Sequence, residues 1–136
     1  MNDRFRKNIS KLHSYLSRFE KEGHKNRIAG QDVDGAGGVF ASYSPVDKSK
    51  ICDVACGTRV DIGKAASAAQ YAFEAWCDLN AKVRRELMIC IAEGIEARAE
   101  EIALCECWDT GQAYKFMSKA ALRGAENFHY FADQFV

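Results

Sequence analysis

A chain of 136 residues has the length of one domain, enough to bury a core if its apolar faces meet one another. Its 19 basic and 19 acidic residues cancel, which excludes both the strongly basic surface of a nucleic-acid binder and a highly acidic one. No run approaches the roughly 18 apolar residues of a membrane span and no apolar segment follows the basic start, so neither a membrane protein nor a secreted one is expected. The segment up to Arg27 carries eight Lys or Arg against Asp3, Glu20 and Glu22. Those acids argue against a mitochondrial presequence, and the expected location is cytoplasmic.

Phe5, Ile9, Leu12, Leu16 and Phe19 recur at spacings of four and three, which predicts an amphipathic helix over about 3–22, ended by Gly23. This helical arm, residues 1–23, is distinguished from the body, residues 24–136. Acids near the end of its polar face favour packing on the body over a membrane surface. Short strands are expected around 25–29 and 31–34 with Gly30 at the turn, then over 39–43 and 50–56, with Ser44-Pro45-Val46-Asp47 as the intervening turn. The Gly35-Ala36-Gly37-Gly38 cluster lacks the third glycine of a dinucleotide fingerprint, position 40 being Phe, and no helix follows it. It reads as a loop between strands.

From Thr58 the apolar period lengthens to that of a helix, and Thr58 with Asp61 resembles a capping box in which Asp replaces Glu or Gln. The helix is expected to run to about Cys77, with Ala65, Ala69, Ala72, Phe73 and Trp76 on a core face. Asn80 can cap the next helix, whose stripe is Leu87, Met88, Ile91 and Ile95. A further run carries Ile102, Cys105 and Trp108 before Gly111 breaks or bends the chain. One final helix is expected over about 113–134, aligning Ala113, Met117, Ala120, Ala121, Gly124, Phe128, Phe131 and Phe135. Phe135 and Val136 are still apolar, as expected of a sequence cut within a structure.

Six cysteines without a secretory signal are expected to be free thiols. Cys52 and Cys56, four residues apart along a strand, are separated by roughly 13 Å, too far to share a zinc ion or a disulfide. Cys105 and Cys107 point to different sides of a helix. Most of the six read as small buried hydrophobes, and the lack of a Cys-x-x-Cys disfavours a thiol redox protein. His13, His24 and His129 have no Cys or carboxylate at metal-ligand spacing.

An ordered series of short motifs carries a family resemblance. It comprises Ile28-Ala29-Gly30, Ser44-Pro45-Val46-Asp47 and Val54-Ala55-Cys56-Gly57-Thr58 leading into an Ala-rich helix with Phe73 and Trp76. It continues with the Arg84 or Arg85 region, Ile91-Ala92-Glu93-Gly94-Ile95-Glu96, Glu101-Ile102-Ala103 and Asp109-Thr110-Gly111-Gln112. This series resembles the N-terminal region of aldehyde dehydrogenases, over about 9–134 of the chain and about the first quarter of a complete member. Leu122-Arg123-Gly124-Ala125-Glu126-Asn127-Phe128, with Phe131-Ala132-Asp133 and the basic arm, is most similar to the subgroup that oxidises muconate-type semialdehydes, the 5-carboxymethyl-2-hydroxymuconate semialdehyde dehydrogenases. The expected fold is an α+β fragment: an N-terminal helix, short antiparallel strands, then three or four packed helices.

The resemblance implies that a complete member oxidises an aldehyde to a carboxylic acid through a cysteine thiolate, a thiohemiacetal, hydride transfer to NAD or NADP, and thioester hydrolysis. The family's Gly-Gln-x-Cys, Glu-Leu-Gly-Gly and Pro-Trp-Asn-x-Pro segments, which carry its Cys, Glu and oxyanion Asn, do not occur in these 136 residues. Gly111-Gln112 is followed by Ala113-Tyr114. No catalytic and no cofactor-binding residue is therefore expected here, and the chain alone is expected to be inactive and to bind neither NAD nor NADP. A different class of function is a non-catalytic interaction module that docks on a complete dehydrogenase subunit or on a separately encoded remainder. No nucleic-acid or membrane partner is expected.

Two site readings follow from the resemblance. Arg123 matches a position facing the substrate passage, where a guanidinium could hold a carboxylate of a muconate-type semialdehyde through two parallel hydrogen bonds. The plainer reading is a surface arginine paired with Glu126. Asp109, with the backbone carbonyls of Ser42 and Tyr43, matches positions that bind a monovalent cation in many members. An Asp shaping a helix end or turn is the plainer reading there.

Overall fold

The arm is a helix because its apolar residues fall on one side. In the computed structural model, which describes residues 3–135, α1 (Asp3–Glu22) buries Leu12 and Leu16 and half-buries Ile9, Tyr15 and Phe19, while Phe5 is exposed. Met1 and Asn2 of the expected arm, and Val136 of the apolar ending, lie outside the described residues. Gly23 closes the helix with φ 69°, its N–H donating to the Phe19 carbonyl at 2.8 Å. A Cβ at Gly23 would also stand 2.8 Å from the Asp53 carbonyl oxygen, so the position demands glycine for both conformation and space.

The chain divides into two units, one made of Leu16–Cys77 and the other of Met1–Tyr15 with Asp78–Val136. In the first, β1 (Asn26–Ile28) and β2 (Gln31–Val33) form an antiparallel hairpin in the register Asn26↔Val33 and Ile28↔Gln31. Ala29 and Gly30 supply the positive φ angles, 50° and 75°, of a tight two-residue turn. Charged cross-strand pairs, Arg27–Asp32 at 2.8 Å and Lys25–Asp34 at 3.0 Å, flank it.

β3 (Val39–Tyr43) pairs antiparallel with β4 (Lys50–Ala55) in a second two-stranded sheet. On the far side of β4, the His24 N–H donates to the Asp53 carbonyl at 2.7 Å and the Ala55 N–H to the His24 carbonyl at 2.8 Å. Ser44, fully buried, anchors the turn between the strands, its N–H donating to the Ser49 carbonyl at 2.9 Å. The glycine cluster is a loop laid directly on the Cys56 backbone. The Gly37 N–H donates to the Cys56 carbonyl at 3.0 Å, and the Cys56 N–H donates to the Gly38 carbonyl at 2.8 Å.

α2 (Arg59–Asp78) begins where the capping pair predicted. The buried Asp61 carboxylate accepts from the Thr58 N–H at 2.8 Å, the Thr58 hydroxyl at 2.9 Å and the Ala36 N–H at 3.0 Å. The expected core face is corrected: Ala69, Ala72 and Phe73 are exposed, and the half-buried side is centred instead on Ala65, Ala68 and Trp76. The helix is turned so that Asp61 can reach the glycine loop, and that rotation carries Phe73 outward.

The other unit is helical. α3 (Ala81–Ala97) starts at Asn80, whose Oδ1 accepts from the Val83 N–H at 2.9 Å. Asn80→Ala is expected to lower unfolding stability by about 1 kcal/mol, read from the urea midpoint. α3 packs on α6 (Ala120–Ala132), with Ala92, Ala125 and Ala132 fully buried at the close approach. The inward stripe is therefore Met88, Ala92 and Ile95, one residue off the expected Leu87 and Ile91, which are exposed. Arg85–Asp133 at 2.9 Å and Glu96–His129 at 3.2 Å brace the two helices from outside.

α4 (Ala99–Thr110) buries Ala103 and Leu104 and not the expected Ile102 and Cys105, and Gly111 ends it in the left-handed conformation, φ 74°. The expected last helix is interrupted. α5 (Tyr114–Met117) turns through Ser118 and Lys119 before α6 begins, the Lys119 N–H tightening onto the Phe116 carbonyl at 3.3 Å. Nothing in the local sequence marks that break; Met117 before it and Ala121 and Ala125 after it are all buried. The cysteines are also less buried than expected. All six are free, but only Cys52 is buried, while Cys77 and Cys90 are exposed.

Candidate functional site

Arg123 stands on α6, directly across the helix from the Ala121 and Ala125 face that packs on α3. It is exposed, and among the described residues it has no carboxylate partner; the pairing with Glu126 does not form. Asn127 and Tyr130, four and seven residues on, share its outward face, so an amide and a phenol lie along the same side as the guanidinium. Sequence reading did not single out these two, although the helical spacing contained the signal. The Tyr130 ring meets Phe131 edge-on at 5.3 Å.

The three expected cation ligands fall in the two units. Ser42 and Tyr43 are on β3, at the point where the ladder steps from the pair Ser42↔Cys52 to Tyr43↔Lys50 and so leaves Ile51 as an extra residue of β4. Such a bulge re-aims the local peptide groups. Asp109 lies in the last turn of α4. Carbonyl and carboxylate oxygens are each a donor type that a hard cation takes. Among the described residues no group of three or more His, Cys, Asp or Glu could hold a metal ion.

The electrostatic centre of the helical unit was not legible in the motifs. Lys11 of α1 donates from Nζ to both carboxylate oxygens of Glu100 at 2.6 and 2.7 Å, across 89 residues of sequence, and the Tyr15 hydroxyl adds a bond at 3.4 Å. Glu100 also sits in the first turn of α4, where the helix dipole favours a negative charge. The Lys11 hydrogen bond holds the Glu100 carboxyl below its usual value and raises the Lys11 ammonium above its own. A lowered carboxyl stabilises the fold above its unfolded value and loses that contribution as pH falls through the folded one. Acidification below the ordinary carboxylate value of 4.5 is therefore expected to loosen α1 from α4. Lys11→Met should flatten this part of the pH–stability profile, measured by urea unfolding at a series of pH values. Asp61 is likewise held low, chiefly by the Thr58 and Ala36 backbone N–H groups.

Residues 7–136 match the aldehyde dehydrogenase family, and the chain belongs to it. Mouse mitochondrial 10-formyltetrahydrofolate dehydrogenase is 36% identical over 109 residues, 77% of this chain and 12% of that protein. Acetaldehyde dehydrogenase of Pseudomonas aeruginosa is 34% identical over 114 residues, 82% of this chain and 22% of that one. Among solved structures, HpcC from Thermus thermophilus superposes with a TM-score of 0.86 at 32% identity, covering 91% of this chain and 24% of that one. PnpE, solved in complex with nicotinamide adenine dinucleotide, gives 0.77 at 34% identity over 81% of this chain and 23% of its own. The chain thus spans between about an eighth and a quarter of the relatives it matches, and its fold is the N-terminal portion of the aldehyde dehydrogenase fold. No helix among the described residues is long and apolar enough to cross a membrane.

Proposed function

We propose that this chain supplies the N-terminal portion of an NAD(P)-dependent aldehyde dehydrogenase that oxidises a carboxylate-bearing, muconate-type semialdehyde in the cytoplasm, and that by itself it is catalytically inert. Arg123 carries the substrate reading: an exposed guanidinium without a carboxylate partner among the described residues, flanked on its face by Asn127 and Tyr130, is a donor surface suited to a carboxylate. The semialdehyde is the group that reacts, and the remote carboxylate is the group that Arg123 holds. NAD or NADP accepts the hydride when bound, and the residues that hold it lie outside this chain. Ser42, Tyr43 and Asp109 are proposed to contribute oxygen ligands to one monovalent cation, a structural role.

Inertness rests on chemistry that the chain lacks. Its six cysteines all sit outside a Gly-Gln-x-Cys context, and burial pushes the Cys107 thiol up, away from the thiolate a nucleophile requires. Incubating the purified 136-residue chain with NAD and a carboxylate-bearing semialdehyde is expected to yield no NADH above the enzyme-free rate. Sustained, protein-dependent NADH formation would refute the inertness.

A further inference from the structure

Asp34 and Gly35 follow β2 in a stretch that belongs to neither sheet, and the Asp34 side chain is 85% exposed. Every other aspartate of the chain precedes a residue that carries a Cβ. Asp34 precedes glycine, so the peptide nitrogen next to its carboxyl has no side chain beside it to screen it. Among the described residues the Gly35 N–H donates to no hydrogen-bond acceptor, whereas the Gly35 carbonyl accepts from the Gly38 N–H at 3.1 Å. The fold itself requires this glycine, because a Cβ there would fall on the Cys56 backbone. The Asp-Gly pair therefore cannot be relieved at its second residue.

We propose that Asp34–Gly35 is a site of spontaneous aspartate isomerisation, and that the seating of Gly35 on Cys56 governs its rate. The Gly35 nitrogen attacks the protonated Asp34 carboxyl at Cγ; the N–Cγ bond forms, and the amide proton leaves with the carboxyl hydroxyl as water. The product is a cyclic succinimide. Water then adds to either ring carbonyl. Breaking the new N–Cγ bond restores aspartate. Breaking the bond from nitrogen to the Asp34 main-chain carbonyl carbon routes the chain through Cγ and leaves that carbonyl as a carboxylate, which is isoaspartate. The water lost in closure is regained in opening, and nothing is oxidised or reduced. The chemistry is independent of what the complete subunit oxidises.

Two features oppose closure. Lys25 Nζ holds Asp34 Oδ1 at 3.0 Å, and the carboxyl must leave that partner to meet the nitrogen. Gly35 lies against Cys56 in a loop tied down by the Gly37 N–H on the Cys56 carbonyl at 3.0 Å and the Ala36 N–H on the Asp61 carboxylate at 3.0 Å. Closure thus proceeds from a local opening of this loop. The product cannot be reseated, because isoaspartate inserts one more main-chain carbon, about 1.5 Å, ahead of a residue with no room for a Cβ. Isomerisation should therefore break the Gly37–Cys56 and Ala36–Asp61 bonds and free the loop from the end of β4.

The test stores the purified chain at neutral pH and physiological temperature for weeks, folded or in urea, and digests it with trypsin at intervals. Peptide 28–48 carries Asp34 together with Asp32 and Asp47, which serve as internal controls, and electron-transfer fragmentation assigns isoaspartate to each. Isoaspartate at position 34 is expected to exceed that at 32 and 47 by at least about tenfold, since only position 34 precedes a glycine. Asp34→Glu should abolish it, because closure would need a larger ring. Urea should accelerate it several-fold, and the isomerised chain should unfold at a lower urea midpoint than the parent. Equal levels at the three positions, or none at 34, would overturn the site. A rate that urea leaves unchanged would overturn the role of the Cys56 seat, and an unchanged midpoint would overturn the predicted release of the loop.

Discussion

Gly35→Ala is expected to destabilise the β3–β4 unit by about 1–3 kcal/mol, a large share of the roughly 5–15 kcal/mol that holds a domain together. A Cβ built at Gly35 falls onto the carbonyl oxygen, carbonyl carbon and nitrogen of Cys56. These are backbone atoms fixed in the ladder and in the bonds from Gly37 and to Gly38, so no flexible side chain can yield. The glycine loop and the end of β4 must separate, and Ala36 is then drawn away from Asp61 at the start of α2. Gly63→Ala gives the contrast. Gly63 lies within α2, nothing stands within 4 Å of a Cβ there, and the substitution should stabilise by about 0.5–1 kcal/mol through helix propensity. Urea midpoints of the two variants should move in opposite directions; equal shifts would show that the loop does not press on Cys56.

Arg123→Ala has the second large effect, and it is measured where substrate can bind, in a covalent chimera joining these 136 residues to the remaining three quarters of HpcC. A charge-assisted hydrogen bond contributes about 1.5–3 kcal/mol and each 1.4 kcal/mol is tenfold, so kcat/KM for a carboxylate-bearing semialdehyde should fall about 10- to 100-fold. An aldehyde without a carboxylate should lose little, because it never engaged the guanidinium. Arg123→Lys keeps the charge but not the planar fork, and should recover only part of the loss. Equal losses for both aldehydes would place Arg123 in the packing of α6 and remove it from substrate recognition.

The reading of the sequence succeeded where a local signal decides structure. The stripe of α1, the turn at Gly30, the Thr58–Asp61 pair and the Asn80 cap each act within a few residues, and each appears at its expected place. It failed where distant residues decide which side of a helix is covered. Met88 and Ile91 both fall on the expected stripe, yet only Met88 is turned inward, with Ala92 buried where α3 packs on α6. Phe73 reads as core because it shares a helical face with Ala65, Ala69, Ala72 and Trp76; α2 is instead oriented by Asp61 bonding to Ala36, 25 residues away. The Lys11–Glu100 clamp joins charges 89 residues apart, and no local window of sequence holds both. Arg123 was singled out through its motif; Asn127 and Tyr130 stand at helical spacing from it in the sequence, and α6 shows that this shared side is outward.

The most direct test is NADH formation by the covalent HpcC chimera, assayed beside the 136-residue chain alone with NAD and a carboxylate-bearing semialdehyde. The account predicts turnover by the chimera and none by the chain, because the Gly-Gln-x-Cys, Glu-Leu-Gly-Gly and Pro-Trp-Asn-x-Pro segments do not occur in these 136 residues. A folded chimera without activity toward that substrate, or turnover by the chain alone, would contradict it.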